Sequence, residues 1–414
     1  MASDDNPKEA DLPTGLELSA LDEAFRTDPY PILDRLREND PVHKDLIQRR
    51  WFITDHEVVR EIVRDKDFVV DPETIGLERP ARPDWAKEIL GEEERKPSIL
   101  GLDDPEHKHL RGLVSKAFTP RAVAEFRPRI EAIVDEVLNE LRDETSFDLI
   151  SRFAGPIPTI VIAEMLGVDS IDQAQFKAWS DTVVHSFNPI LPQEEVKHVM
   201  RTIRKVRDFF QEEINKRKQA PQDDLITALI QASEDDEHLA DEEIVTMCEL
   251  LIIAGNVTTT DLIGNGVLAL LRHPQELAKL KANPDLIENA VEEMLRYDSP
   301  VVMTGRVGAM EKEFLGRKIR HGHRVNLSLA AANRDPSVFP DPNKFDIERA
   351  DTSHLSFGGG VHHCLGAPLA RLEARIAIEK LIEMFPNLQL ANEKIERRQL
   401  PTFQGCERLL VKVD

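Results

Sequence analysis

One cysteine lies in a sequence context that favours chemistry over packing. Cys364 is preceded by Phe357-Gly358-Gly359-Gly360 and two histidines, and Gly366 follows two residues later. Glycines permit backbone turns that a Cβ atom would block, so a flat ligand can approach the main chain. A helical pattern begins near Ala367 with Pro368 in its first turn, and the free N–H groups of such a helix favour a thiolate. The sequence therefore predicts that Cys364 binds a cation or a metal.

A zinc site is the first alternative for such a thiolate. His362, His363 and Cys364 are adjacent, and three adjacent residues do not easily converge on one tetrahedral ion. The other cysteines, Cys248 and Cys406, form no CxxC pair with it. A single thiolate on a glycine-lined loop instead suits a metal whose other ligands belong to a cofactor, as in haem. An inert, buried cysteine is the structural alternative.

The segment FGGGVHHCLG (residues 357–366) resembles the haem-binding signature of the cytochrome P450 family, FGxGxHxCxG, at all six fixed positions. The similarity extends from about residue 29 to residue 413 and is closest to soluble bacterial members. It implies a cytochrome P450 fold with haem b between a long central helix and this loop. Cys364 would be the axial ligand of the iron, and Phe357, Gly366 and Ala254 would line the haem.

The resemblance also implies an ion-pair network that anchors the cysteine loop. Glu293-Met294-Leu295-Arg296 is similar to the ExxR helix of the family, and residues 341–349 are similar to the segment that supplies a second arginine, Arg349. A guanidinium can bind a carboxylate through two hydrogen bonds and still donate to carbonyls. Glu293, Arg296 and Arg349 are therefore expected to fix the segment that leads to Cys364.

The haem propionates need cationic partners where they are partly buried. The resemblance implies His107 and Arg111 in the segment DDPEHKHLRG, together with Arg306 and His362, for this role. Each of these side chains alone has a structural alternative as a solvated surface charge.

In this family the long helix crosses the haem opposite the thiolate and carries residues that activate oxygen. Here the segment is Ala254-Gly255-Asn256-Val257-Thr258-Thr259. By resemblance, Gly255 makes room for dioxygen and Thr258, with Thr259 beside it, helps to deliver protons. The structural alternative is that glycine and threonine simply permit a close helix crossing.

The family pattern has an acid at the position of Val257, and valine cannot relay a proton. We expect water, Asn256 or Asp261, one helical turn after Thr258, to support proton delivery instead. Replacing Val257 by Asp should then raise the amount of product formed per NAD(P)H consumed.

The resemblance implies a substrate pocket built from the 69–99 loop, the 184–191 region, the long helix, the 301–304 strand and the 402–404 turn. The residues expected to line it are Val184, Phe187, Cys248, Leu251, Val301, Val302, Thr304 and Phe403. This wall is mostly aliphatic, so a largely apolar small organic molecule fits it best.

The sequence predicts a mainly α fold with small β-sheets. Amphipathic spacing predicts helices over 122–141 and 195–216. The long helix is predicted to begin with Asp241 as its N-cap and to run to Arg272.

Short extended segments are predicted at 50–54, 324–331 and 409–413, and 69–99 is predicted to be a long irregular connection. Residues 1–17 are expected to be disordered and 18–414 to form one domain. Its β-rich lobe would come from about 29–70 and 301–335, and its α-rich lobe from most of the rest.

The charge of the chain excludes some partners. Its 414 residues include 76 Asp and Glu against 53 Lys and Arg, which gives a net charge of −23. Such a field repels phosphate backbones and anionic membranes, so neither nucleic acid nor a membrane is expected as a partner. Three unpaired cysteines and the lack of an apolar leader predict a cytoplasmic protein, and a monomer is expected.

These features predict a haem-thiolate monooxygenase that uses O₂ and electrons from NAD(P)H, delivered by a ferredoxin and its reductase because no dinucleotide fingerprint is visible. A basic surface for a small acidic ferredoxin is expected at Lys108, Lys116, Arg121, Arg371 and Arg375. Two alternatives stay open. One is a peroxide-driven peroxygenase or other non-hydroxylating member of the fold, and the other is a haem-based sensor or carrier without turnover.

Overall fold

The structure is a computed structural model that describes residues 12–79, 82–91, 96–115, 118–168, 173–188, 190–234 and 237–413. Helices dominate these ranges. The α-helices are α1 (Glu23–Thr27), α2 (Tyr30–Asn39), α3 (His56–Ile62), α4 (Asp84–Leu90), α5 (Glu106–Ser115), α6 (Pro120–Asn139), α7 (Pro156–Met165), α8 (Gln173–Val183), α9 (Gln193–Gln219), α10 (Leu225–Gln231), α11 (Asp241–Arg272), α12 (Pro274–Ala282), α13 (Ile287–Tyr297), α14 (Leu329–Ala332) and α15 (Ala367–Met384).

The strands are short and form several small sheets. They are β1 (Val42–Asp45), β2 (Arg50–Ile53), β3 (Phe68–Val69), β4 (Ser146–Asp148), β5 (Ser233–Glu234), β6 (Glu237–His238), β7 (Met303–Gly308), β8 (Lys312–Phe314), β9 (Arg317–Ile319), β10 (Arg324–Ser328), β11 (Gln389–Leu390), β12 (Glu396–Arg397), β13 (Cys406–Arg408) and β14 (Leu410–Lys412). The prediction of a mainly α fold with small sheets is confirmed.

The largest sheet has five strands in the order β1-β2-β10-β7-β3. Strand β10 pairs with β2 in parallel and with β7 in antiparallel, so the sheet joins the start of the chain to its last third. A three-stranded sheet, β11-β14-β4, ties the C-terminal strands to the segment between α6 and α7. An isolated bridge between Val301 and Phe403 connects the C-terminal turn to the segment before β7.

Helix α11 is the central element of the helical part, and it packs against α7, α8, α9, α13 and α15. Most of its residues are buried, which explains why its sequence is apolar on nearly every face. It is long and apolar enough to cross a membrane by length and composition, but 67% of its most apolar window is buried inside the protein. This is the pattern of a core helix.

The N-terminus of α11 differs from the prediction by one residue. The N-cap is Ala240, whose backbone N–H donates to Glu243 at 2.9 Å. Asp241 lies in the first turn and binds Lys218 at 2.6 Å. The carboxylate three residues into the helix supplies the capping interaction, so no capping side chain is needed at the N-cap itself.

Three other segments also differ from their predictions. Strand β10 ends at Ser328, because its hydroxyl accepts a hydrogen bond from Ala331 N–H and starts α14. The 69–99 connection contains helix α4 and a 3₁₀ turn at Pro72–Ile75, so it is less irregular than expected. Residues Gly15–Leu18 form a 3₁₀ turn with Leu18 fully buried, although disorder was predicted up to residue 17. Residues 1–11 lie outside the described ranges.

Candidate active site

The loop before Cys364 is shaped by glycines and by a close contact with α3. Gly358 and Gly360 have φ angles of 68° and 64°, a region that L side chains rarely adopt. A Cβ atom on Gly360 would lie 2.5 Å from the carbonyl oxygen of Val63. Cys364 N–H donates to the carbonyl of Phe357 at 2.9 Å, which closes the loop. The glycines are therefore needed for the turn and for its packing.

The Cys364 side chain has solvent-accessible surface and stands at the start of α15. Desolvation by the surrounding protein raises the pKa of the thiol. Three groups act to lower this pKa: the backbone N–H groups of Gly366 and Ala367 and the guanidinium of Arg111. These groups are arranged to stabilise a thiolate once a cation neutralises the site. No cluster of three potential metal-ligating side chains occurs among the described residues, which argues against zinc.

Phe357 is supported from outside the loop by an arginine on α15. The guanidinium of Arg371 lies 4.4 Å from the centre of the Phe357 ring and donates to Glu292 at 2.6 and 2.8 Å. Burial acts to raise the pKa of Glu292, but hydrogen bonds from His354 and Arg371 outweigh it and hold the pKa at about 2. No signal in the sequence points to this support, because Glu292 resembles an acid on an exposed helix face.

The three residues predicted to anchor the loop meet in one buried network. Glu293 and Arg296 have no exposed surface, and Arg296 donates to both carboxylate oxygens at 2.7 and 2.8 Å. Arg349 Nε donates to the same carboxylate at 3.1 Å, and Asp346 N–H at 2.9 Å. The remaining guanidinium N–H groups donate to backbone carbonyls, including that of Asn333. Every charge in this network has a partner of opposite sign.

A second group, of two arginines and two histidines, is less completely paired. The rings of His107 and His362 are 4.3 Å apart, and Arg306 and Arg111 both act electrostatically on His362. Burial, followed by the charges of Arg306 and His107, lowers the pKa of His362 to about 4. Within the described ranges, neither Arg111 nor Arg306 forms an ion pair, whereas Asp104 lies 3.4 Å from His107 Nδ1 and Asp103 lies 3.9 Å from His362 Nε2. The structure therefore brings the four predicted residues together as an open cationic cluster.

This cationic cluster fits the propionates of haem b. The Nε2 atoms of His107 and His362 are buried without a hydrogen-bond partner, and burial lowers the pKa of the Arg306 guanidinium. A pair of carboxylates would satisfy these donors and offset the repulsion between the cations. Because the cluster borders the Cys364 loop through a hydrogen bond from Arg111 to the His363 carbonyl, one flat cofactor can reach both.

Two residues of α11 open onto space in the middle of a buried helix. Ala254 is exposed and Thr258 is partly exposed, while Ile253, Val257 and Thr259 next to them are buried. The Thr258 hydroxyl donates to the Ala254 carbonyl at 2.7 Å. These two residues therefore form the accessible stripe that the resemblance assigns to oxygen activation.

Gly255 is partly exposed, like Thr258, but it also lies against a neighbouring helix. A Cβ atom on it would lie 2.6 Å from Ile162 Cδ1 on α7, so the glycine permits a close helix crossing. The close crossing supports the structural alternative for Gly255, and its role in making room for dioxygen stays a prediction. Gly264 and Gly266 on the same helix approach Ile150 and Met294 equally closely.

The polar residues expected to replace the missing acid also point elsewhere. Asn256 is buried and accepts a hydrogen bond from Thr260 at 3.3 Å. Asp261 has no exposed surface and forms an ion pair with Arg398 from the C-terminal region. Burial raises the pKa of Asp261 to about 6, although the charge of Arg398 opposes this shift. Of the three predicted routes, water beside Thr258 is the one that the accessible stripe favours.

Part of the predicted pocket wall forms one apolar cluster. The pocket cluster consists of Val183, Val184, Val199, Ile203, Ile253, Val257, Leu400 and Phe403, with Leu90, Leu191 and Val301 packed against it. Phe187 meets Phe403 edge to face, with ring centres 5.5 Å apart. Val257 therefore sits at the acid position as a member of this apolar wall, with 3% of its surface exposed.

Other predicted wall residues lie away from the pocket cluster. Cys248 and Leu251 pack in the main helical core, and burial raises the pKa of the Cys248 thiol. Val302 packs among Leu18 and its neighbours, because successive residues of an extended segment point to opposite sides and Val301 takes the pocket side. Thr304 is only partly buried and accepts a hydrogen bond from Arg306 at 3.3 Å.

The expected ferredoxin surface is less basic than its sequence suggested. Arg371 and Arg375 form ion pairs with Glu292 and Glu288, and Arg121 pairs with Glu125. Lys108 is exposed, and Lys116 lies outside the described residues.

Comparison with known proteins agrees with this geometry. The family model for cytochrome P450 matches residues 52–403. A biotin biosynthesis cytochrome P450 of Bacillus subtilis (strain 168) is 38% identical over 95% of this chain and 98% of its own length. The 6-deoxyerythronolide B hydroxylase of Saccharopolyspora erythraea is 36% identical over 95% of this chain and 98% of its own length.

A solved structure of P450BioI in complex with an acyl carrier protein ligated to hexadec-9Z-enoic acid superimposes with a TM-score of 0.87. It is 38% identical in sequence and covers 94% of this chain and 99% of its own. The anchored cysteine loop, the open cationic cluster and this likeness over nearly the whole chain lead to one conclusion. The chain belongs to the cytochrome P450 family, as a monooxygenase that binds haem b through a cysteine thiolate.

Proposed function

We propose that this protein inserts one oxygen atom from O₂ into a C–H or double bond of a largely apolar small organic molecule, with electrons from NAD(P)H through a ferredoxin. The observation that carries the proposal is the accessible stripe of Ala254 and Thr258 beside the aliphatic pocket cluster. Bound haem b supplies the oxygen-activating chemistry. The pocket cluster excludes water from the substrate and holds it by apolar contact.

In this proposal Cys364 would bind the haem iron through its thiolate, and His107, Arg111, Arg306 and His362 would hold the propionates. Thr258 holds a hydrogen bond at the position where oxygen binds and passes protons from water. The single hydroxyl hydrogen of Thr258 now goes to the Ala254 carbonyl. When the hydroxyl rotates towards the oxygen site, it can donate there and accept a hydrogen bond from water at the same time.

The test compares Thr258→Ala with Thr258→Ser in the haem-loaded enzyme, supplied with NAD(P)H, a ferredoxin and its reductase. A substrate is first found from the low-spin to high-spin shift across compound classes. We expect the Ala variant to bind this substrate normally and to form about 10-fold less product per NAD(P)H, because a positioned proton donor contributes about 100-fold or more to such steps. The Ser variant should retain most of the product yield.

Each alternative function predicts a different result in this experiment. Equal turnover with hydrogen peroxide alone would favour the peroxygenase. Tight substrate binding without turnover under either condition would favour a sensor or carrier. A monomer in the cytoplasm also stays a prediction, which gel filtration and cell fractionation would check.

We propose a second form of substrate, an acyl chain tethered to a carrier protein. A relative 38% identical to this chain has been solved with an acyl carrier protein that carries hexadec-9Z-enoic acid. The pocket cluster, with seven aliphatic members and Phe403, suits such a chain. Comparing the affinity of the holoenzyme for the free acid and for the carrier-bound chain tests this form.

A further inference from the structure

Helix α9 carries a run of cations that contrasts with the acidic chain. Residues 196–207 (VKHVMRTIRKVR) contain five Lys and Arg residues and no Asp or Glu. Elsewhere acidic residues are in excess, so that the net charge of the whole chain is −23. A positively charged helix on an otherwise acidic protein can attract anionic partners that the rest of the surface repels.

Helical spacing sorts this run into an inner and an outer face. Val199, Ile203 and Val206 are buried against the protein. The α9 basic face, on the outer side, consists of Lys197, His198, Arg201, Arg204 and Lys205, of which all but the partly buried Lys197 are exposed.

Only some of these charges are neutralised locally. Lys197 pairs with Glu194 at 2.8 Å, and Arg204 pairs with Asp208 at 2.9 Å. Arg201 and Lys205 form no ion pair with any described residue. Two adjacent turns of the helix therefore present more positive charge to solvent than their own ion pairs neutralise.

The α9 basic face begins beside the substrate pocket. Val199 and Ile203, on the inner face of the same turns, belong to the pocket cluster. Phe187 and Ile190 come just before the helix and are 39% and 56% exposed. Large apolar side chains beside a charged patch are typical of a protein interface, where they supply the desolvated centre and the charges supply the rim.

We propose that the α9 basic face docks an acidic carrier protein and so presents a thioester-linked acyl chain to the pocket. This inference rests on the carrier-bound substrate form proposed above and assigns its docking surface on this chain. A carrier protein is small enough to engage the basic patch alone. An anionic bilayer would also face the acids of the neighbouring helix α4, Asp84 and Glu88, and the net charge of the molecule would repel it.

The experiment uses the haem-loaded enzyme and an acyl carrier protein loaded with a hexadec-9Z-enoyl chain. The double variant Arg201→Glu/Lys205→Glu reverses the two unpaired charges. We expect it to raise the Kd for the loaded carrier by about 10-fold or more at low salt, because repulsion replaces attraction at the interface. The Kd for free hexadec-9Z-enoic acid should stay within about twofold, because charge at a rim acts on the partner and leaves the pocket intact.

The matched control is Arg408→Glu/Lys412→Glu, which changes the net charge equally at exposed positions in β13 and β14. It should change the Kd for the loaded carrier by less than about threefold, because distant exposed charges are screened. Equal weakening by both double variants, or none by the α9 variant, would overturn the proposed docking surface. If the unaltered enzyme bound the loaded carrier no better than the free acid, the carrier-bound substrate form itself would be wrong.

The membrane alternative has its own measurement. Phosphatidylglycerol vesicles are sedimented with the holoenzyme and with the α9 variant. We expect no co-sedimentation of either. Binding of the unaltered enzyme that is lost in the variant would assign this face to lipid and overturn the proposal.

Discussion

Two groups of buried charge lie on either side of the Cys364 loop, and they differ in how completely they are paired. In the anchoring network, Glu293 takes hydrogen bonds from Arg296 and Arg349, and each remaining donor finds a carbonyl. In the cationic cluster, Arg306 is buried and His362 is partly buried, yet none of the described carboxylates forms an ion pair with the arginine.

This difference separates structure from binding. A closed network of buried charges stabilises the chain in its present form, and removing one member leaves the others unpaired. A buried charge without an ion-pair partner, such as Arg306 in the open cluster, costs free energy until an anion binds. A buried charge without a partner therefore marks the site where we expect a ligand to bind.

The anchoring network gives the largest predicted effect. Replacing Glu293 by Gln leaves two buried guanidiniums without an anion, so we expect a loss of about 3–5 kcal/mol in the free energy of unfolding and little haem incorporation. Chemical denaturation followed by circular dichroism measures this loss. Glu288→Gln, which breaks the exposed pair with Arg375, is the control and should cost less than about 1 kcal/mol. Similar losses of unfolding free energy in both variants would contradict the proposed difference between the buried network and an exposed ion pair.

A pH titration tests the pairing of Glu292, the acid that precedes Glu293 in the sequence. The pKa of Glu292 is about 2 in the folded chain, below its ordinary value of 4.5. Its ionised form therefore contributes stability that is full above pH 4.5 and is lost as the pH falls through 2. Glu292→Gln should cost on the order of 3 kcal/mol at pH 7, at about 1.4 kcal/mol per pKa unit. The gap between variant and parent should close towards pH 2, and a gap independent of pH would contradict this assignment.

A carboxylate at position 257, where the apolar side chains packed around it offer no cationic partner, should also destabilise the folded protein. Val257 is 3% exposed and packs with Ile253, Leu400 and Phe403, so Val257→Asp should cost about 2–3 kcal/mol in unfolding free energy. The gain in product per NAD(P)H that the family pattern suggests for this variant stays a prediction, and the apolar surroundings of Val257 argue against it. Val257→Thr keeps the volume and serves as the control. A rise in product yield with unchanged stability would show that the site does accept an acid.

Removing a charge from the cationic cluster should not destabilise the apoprotein, in contrast to the anchoring network. Arg306→Gln removes one of several like charges, so the unfolding free energy of the apoprotein should stay within about 0.5 kcal/mol or rise. Haem affinity should fall by about 10-fold, since one charge-assisted pair with a carboxylate is lost. Haem transfer to apomyoglobin measures the second quantity. A large loss of apoprotein stability would place Arg306 in a closed network instead.

The sequence identified the chemistry better than it identified the packing. Cys364 and the glycines around it could be found because their spacing along the chain is itself the requirement. The four cations could be found only through the family resemblance, because nothing local shows that His107 and Arg306 converge from distant elements. Helix α15 began where Pro368 predicted it, since first-turn preferences are local.

Roles that depend on a distant neighbour were missed. The sequence does not show that Gly255 lies against Ile162 on another helix, where a Cβ atom would clash. Val257 was interpreted as a missing acid, and its contacts with Leu400 and Phe403 show an apolar wall. Glu373 is fully buried on α15, where burial raises its pKa well above the ordinary value, although its sequence resembles a surface acid. Such contacts depend on tertiary packing, which periodicity along one helix cannot reveal.

The most direct test of the account is the absorption spectrum of the purified protein after reduction and treatment with carbon monoxide. The account predicts the red-shifted band of thiolate-ligated haem in the parent chain and its loss in Cys364→Ser. A parent spectrum without that band, or an unchanged band in the serine variant, would contradict the assignment of Cys364 as the iron ligand.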